Sequence, residues 1–152
     1  HPDWELCIVG DGPEKEKLEQ EKAEYGLQTV HIYPYTIHPA TEYLESSIFL
    51  LPSVFEGWPL VVIESMSYGV PVIAYDCLCG PSEIIQDGVD GFITKYQDPQ
   101  EMIEKVNCLI EHPDVRIEMG KRARINIQRF NMDDIMGRWI GLFNRLMSES
   151  QS

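Results

Sequence analysis

Residues Glu56–Ala74, EGWPLVVIESMSYGVPVIA, decide how this chain is read. Two carboxylates, Glu56 and Glu64, stand with seven residues between them, and Gly57 and Pro59 open the segment that joins them. Pro59 suits the first position of a helix, where its missing N–H would have no intrahelical acceptor. The amides after it are unpaired within the helix, and with the helix dipole they suit a diphosphate. Gly57 lets the backbone come close to a ligand. Glu64 lies four residues after Leu60 and therefore on the same helical face one turn on, where a carboxylate can accept from two ribose hydroxyls. Glu56, on the loop before the helix, would face the sugar end of the same ligand. The run Leu60–Ile63 is continuous and largely β-branched, and its periodicity fits a strand as well as a helix. On the strand reading the two glutamates only bracket it as solvated ends.

Outward from this segment, short apolar runs alternate with amphipathic stretches, the pattern of an α/β chain with a parallel sheet. The strands expected are Glu5–Val9, Val30–Tyr33, Ile48–Leu51, Val72–Tyr75 and Gly91–Ile93. The helices expected are Glu14–Tyr25, Pro39–Glu45, Pro59–Tyr68 and Pro99–Glu111, with a short turn at Ser82–Gln86. Gly26 is placed to cap the first helix. From Asp114 the pattern is helical, with a C-terminal pair at Val115–Phe130 and Asp133–Met147. Trp139, Ile140, Phe143 and Leu146 repeat at three and four residues and read as core. Residues 1–147 are expected to form one domain, and the tail 148–152 to be disordered. Ligands of such sheets bind beyond the carboxyl ends of the strands. Gly10-Asp11-Gly12, Tyr35-Thr36, Ser53–Gly57 and Asp76–Pro81 all fall there.

At 152 residues the chain can bury a proper core, and 43% hydrophobic with 10% aromatic residues is ordinary for a globular protein. The net charge of −13 argues against nucleic acid and against docking on anionic lipid. Part of it belongs to a solvated helix face, Glu14–Lys22, where opposite charges stand three and four apart. No run is long and apolar enough to read as a transmembrane segment. Cys7 and Cys108 fit small buried thiols, and Cys77-Leu78-Cys79 has the wrong spacing for a zinc knuckle. All four cysteines read as reduced. His31, His38 and His112 have no partner at catalytic spacing and read as structural or solvated.

Five ordered motifs carry a resemblance. They are Trp4–Pro13 (WELCIVGDGP), Pro52–Leu60 (PSVFEGWPL), Glu64–Ala74 (ESMSYGVPVIA), Cys79–Ile85 (CGPSEII) and Asp87–Gly91 (DGVDG). Together they resemble the retaining glycosyltransferases of family 4 (group 1), specifically the C-terminal, donor-binding half of the two-domain GT-B fold. The resemblance implies an α/β, Rossmann-like parallel sheet with flanking helices and a C-terminal helical pair, truncated at its N-terminus. It implies a sugar moved from a nucleoside diphosphate to a glycan or lipid-linked acceptor in cell-surface polysaccharide synthesis. UDP is the expected nucleotide, with GDP and ADP open. No metal and no cofactor are expected. Glu56 is the catalytic candidate, orienting the hydroxyls of the transferred sugar. Glu64 would clamp the ribose, and Gly57, Trp58, Pro59 and Leu60 would cradle phosphate or sugar. Gly10, Asp11 and Gly12 would stand near the donor or simply turn the chain into its helix. Tyr35 and Thr36 would hold the base, and Ser53 would bond the ribose or cap a turn.

The resemblance also carries departures. The family's opening strand, with an Arg and a Lys that grip the donor phosphates, is expected upstream of Trp4, as is the acceptor-binding domain. The chain alone is therefore expected to be inactive. Trp58 stands where Phe is more usual. The parent is expected in the cytoplasm, peripheral at the inner face of the membrane. A nucleotide-sugar epimerase or hydrolase of the same fold, and a non-catalytic binding domain, are the alternative readings.

Overall fold

The computed structural model describes residues 1–78 and 80–149. The chain divides into two compact units, His1–Thr41 and Glu42–Ser152, where the sequence suggested one. The reason lies in strand pairing. The five strands form two parallel sheets, β1-β2 and β3-β4-β5, not one. Removing the first strand from the doubly wound order 3-2-1-4-5-6 leaves two such groups, one pair and one triplet.

In the first unit, β1 (Leu6–Val9) pairs with β2 (Val30–Tyr33) in parallel, Leu6 opposite Val30 and Val9 opposite Tyr33. Parallel neighbours need a crossover, and α1 (Lys15–Glu24) supplies it. At its end Gly26 N–H bonds Ala23 O and Leu27 N–H bonds Lys22 O, the paired bonds of a Schellman cap. No residue of α1 is buried, as its alternating Glu and Lys require. Cys7 is exposed in β1 and not buried as expected, because the burial pattern of this strand is open on both faces.

The second unit holds the core. The junction falls within α2 (Ala40–Glu45), and then come β3 (Phe49–Leu51), α3 (Leu60–Ser67), β4 (Val72–Tyr75), α4 (Pro81–Ile84), β5 (Gly91–Thr94), α5 (Pro99–Glu111) and α6 (Pro113–Asn126). A 3-10 turn (Ile127–Phe130) and α7 (Met132–Glu149) complete it. The run Leu60–Ile63, ambiguous by periodicity, is helical. Every residue of β4 is buried, as a central parallel strand covered on both faces should be. Alternation sends Val72 and Ala74 into one cluster with Val62 and Met66 of α3, and Ile73 and Tyr75 into the other with Met102 and Leu109 of α5. Val62 and Met66 are wholly buried, each stabilising the unit by about 1.5–3 kcal/mol.

Two local contacts seat α3. Its last turn closes on Gly69 (φ 78°), with Gly69 N–H bonding Met66 O and Val70 N–H bonding Ser65 O. Gly120, in the middle of α6, lies directly against the Gly69 carbonyl, where a Cβ would overlap that oxygen. Both positions need glycine, Gly69 for its left-handed backbone and Gly120 for the close approach.

The stripe Trp139, Ile140, Phe143 and Leu146 is not core. Each of the four is half exposed or more, and no residue of α7 is buried. Periodicity marks an apolar face but not what covers it, and within this unit α5 and α6 already close the core. The helix runs on through Ser148 and Glu149, which the sequence left to the tail. Among the described residues no helix is long and apolar enough to cross a membrane.

These packing differences predict opposite signs for one substitution. Gly120→Ala should lower stability by about 3 kcal/mol through overpacking. Gly137→Ala in α7, where nothing lies within 4 Å of a new Cβ, should raise it by up to about 1 kcal/mol through helix propensity. Urea unfolding midpoints at unchanged m-value report both.

Candidate functional site

In the second unit the candidate residues gather where β3 and β4 end. β3 finishes at Leu51, and the loop from Pro52 leads through Glu56 and Gly57 into α3. Pro59 is the N-cap of α3 (φ −74°, ψ 90°), not its first helical residue as expected, because its extended ψ delays the helix to Leu60. The first intrahelical bond runs from Val62 N–H to Pro59 O at 3.0 Å. No side chain caps this end among the described residues, so the first-turn amides keep their donors for something else.

Glu64 sits one turn further on, exposed to solvent. It does not hang free. The hydroxyl of Tyr43 donates to Glu64 Oε2 at 3.0 Å. Tyr43 is 6% exposed, stacked on Tyr68 with ring centres 5.5 Å apart and tilted against Phe49 at 5.9 Å. Burial first, and then the bond to Glu64 and its charge, push the phenol well above its ordinary pKa. The hydroxyl therefore stays protonated and remains a donor at any physiological pH.

Glu56 is half-buried. The loop after β4 lies against it: a Cβ at Gly80 would come 2.8 Å from Pro59 Cδ and 3.4 Å from Glu56 Cβ. Gly80 has φ 146°, so both its backbone and its surroundings exclude a side chain. Nearby, Cys77 is 3% exposed. Burial pushes its thiol up, and the Glu56 charge adds to this, so the group is an inert thiol and not a nucleophile. Cys79 lies outside the described residues.

Trp58 is fixed edge-on to Phe130 at 5.5 Å. Arg129 stacks over that Phe130 ring at 4.5 Å and donates to the carbonyls of Glu83 and Ile84, both at 2.9 Å. Its charge is thus engaged in closing the end of α4. Beneath it Asp90, 1% exposed, accepts from Gln86 N–H at 2.7 Å and from Asn126 Nδ2 at 2.5 Å. Burial raises the Asp90 pKa against those bonds. This network holds the turn that carries Gly80. Ser53, half-buried, lies on the loop before Glu56.

Gly10, Asp11, Gly12, Tyr35 and Thr36 belong to the first unit, at the ends of β1 and β2. Asp11 is occupied on both oxygens, by Lys15 Nζ at 2.6 Å and by Tyr35 N–H at 2.8 Å. The Lys15 bond, followed by the Tyr35 amide, lowers its pKa. Thr36 Oγ1 accepts from His38 N–H at 3.0 Å, a local turn. The Tyr35 ring is 69% exposed. Asp11 thereby ties the two strand-end loops of this unit together. Of the histidines, His31 faces Glu5 at 3.7 Å and His112 bonds Cys108 O at 3.0 Å. Among the described residues no three His, Cys, Asp or Glu side chains gather as a metal-binding group.

Sequence reasoning passed over Tyr43, because its partner is 21 residues away and no local pattern links them. The Asp90–Asn126 pair, 36 residues apart, was invisible for the same reason. Gly80 had a signal, the Gly-Pro opening of α4, whose meaning required the neighbouring loop.

Residues 1–126 match the family "Glycosyl transferases group 1". An uncharacterized glycosyltransferase of Haemophilus influenzae is 33% identical over 143 residues, covering 93% of this chain and 40% of that protein. A poly(ribitol-phosphate) alpha-N-acetylglucosaminyltransferase of Staphylococcus aureus is 30% identical over 139 residues, covering 90% of this chain and 28% of that one. A crystal structure of S. aureus TarM, in complex with Fondaparinux, alpha-GlcNAc-glycerol and UDP, superposes with a TM-score of 0.86 at 29% identity. It covers 92% of this chain and 29% of that one. The chain thus spans two fifths or less of the length of these relatives.

The Asp11 link predicts a pH response. Both partners favour the ionised carboxylate, so its lowered pKa makes the link complete at neutral pH, and it is lost only as pH falls through that value. The Tyr35 amide shift should titrate with a midpoint below 3.8, the ordinary aspartate value, and Asp11→Asn should abolish that step in an NMR titration.

Proposed function

The chain belongs to the group 1 glycosyl transferases, and we propose that it is the donor-binding part of an enzyme that transfers a sugar from UDP with retention of configuration. One observation carries this reading. An uncapped helix N-terminus stands between a half-buried glutamate on the preceding loop and a solvent-exposed glutamate one turn in. Amides with no acceptor attract phosphate oxygens. The Glu64 carboxylate, held through one oxygen, keeps acceptor capacity for ribose hydroxyls. Glu56 meets the transferred sugar, and Gly57, Trp58, Pro59 and Leu60 line the phosphate end, with Ser53 on the same loop. For the first unit, the roles of Tyr35 and Thr36 toward the base, and of Gly10, Asp11 and Gly12 near the donor, rest on the family resemblance alone.

The chemistry of transfer places growing negative charge on the departing diphosphate. In this reading cationic groups elsewhere in a parent chain offset it, no metal takes part, and the chain alone binds donor without turning it over. The UDP in the TarM complex and the polymer acceptor of the S. aureus relative support a UDP-sugar donor and a cell-surface glycan or lipid-linked acceptor. Such acceptors put the parent in the cytoplasm, peripheral at the inner face of the membrane.

Calorimetric titration tests the assignment. Glu64→Ala should weaken UDP binding about tenfold, the loss of an acceptor for ribose. Glu56→Ala should leave UDP binding within about twofold while reducing the extra affinity for a UDP-sugar. Unchanged UDP affinity in Glu64→Ala would refute the ribose assignment.

A further inference from the structure

Tyr43 is the buried polar group that the reading above does not use. Its ring needs only an aromatic: it packs on Tyr68 and Phe49, and Phe would fill the same space. Its hydroxyl is different, because it spends its proton on an exposed carboxylate. A solvent-exposed glutamate gains little from such a bond as a matter of stability. It loses rotamer freedom instead, a cost that falls at folding and not at binding. An O–H to carboxylate bond is also directional and charge-assisted, which makes it a good way to fix a short list of rotamers to one.

We propose that Tyr43 is a positioning residue that presets Glu64 for ribose, its hydroxyl holding Oε2 and leaving the other oxygen to accept from the sugar hydroxyls. The inference rests on Glu64 being the ribose acceptor. It adds a specificity device: preference for a ribonucleoside over a deoxynucleoside diphosphate is set by a phenol that does not touch the ligand. The raised pKa of Tyr43 keeps that phenol a donor across the working range.

The test compares UDP with 2′,3′-dideoxy-UDP by calorimetry on the 152-residue chain, with amide spectra to follow the fold. The native chain should bind UDP about tenfold more tightly, the worth of hydrogen bonds to a charged acceptor. Tyr43→Phe should cut that ratio to about twofold by weakening UDP and sparing the dideoxy compound. In a Glu64→Ala background the same substitution should change nothing further. A ratio unaltered by Tyr43→Phe would overturn the proposal and leave the Glu64 reading intact. Equal weakening of both ligands, or loss of native spectral dispersion in Tyr43→Phe, would show the hydroxyl to be structural and also overturn it. A native chain that fails to distinguish the two ligands would overturn the ribose reading itself, and the proposal with it.

Discussion

The contact between Gly120 and the carbonyl of Gly69 sets the geometry on which the second unit depends. Backbone meets backbone there, with no side chain between, so α6 fixes the end of α3 to a tolerance that packing of flexible side chains would not give. With that end pinned and Val62 and Met66 buried against β4, the helix has no freedom to roll. Its opposite face, carrying Leu60 and Glu64, is therefore delivered to solvent at the strand ends.

A second approach of the same kind works at the other end of α3. Gly80 brings the loop after β4 against Pro59 and Glu56, and the network of Asp90, Asn126 and Arg129 holds the turn behind Gly80. The chemistry-bearing glutamates are thus set by two glycines and a buried polar cluster, none of which bears on a ligand. This is the arrangement a preorganised site requires: reactive groups on a rigid element, supported by residues with their own partners. The uncapped N-terminus of α3 is consistent with it, since a helix end left without a side-chain cap in a well-satisfied unit has room for an external anion.

The sequence was informative where a signal was local. The α/β alternation, the strand positions, the Schellman-type end at Gly26 and the strand-end placement of Glu56 and Glu64 all follow from residues a few positions apart. It failed where the answer depended on distant partners. Tyr43 and Glu64, like Asp90 and Asn126, are joined only by the fold. The apolar stripe of α7 shows the limit of periodicity from the other side, because amphipathic spacing states that a face is apolar and not that anything lies upon it. Pro59 moved by one position for a smaller reason: proline fits N-cap and first-turn backbone alike in φ, and only ψ separates them. The division into two units came from strand pairing, which apolar runs alone do not specify.

The central claim is that the N-terminal end of α3, with its two glutamates, receives a nucleoside diphosphate. An amide chemical-shift map of the chain titrated with UDP tests it most directly. The account predicts saturable shifts concentrated at Gly57, Leu60, Val61 and Glu64, with the interior of α5 undisturbed. Saturable shifts confined to other elements, or no response at millimolar UDP, would contradict it.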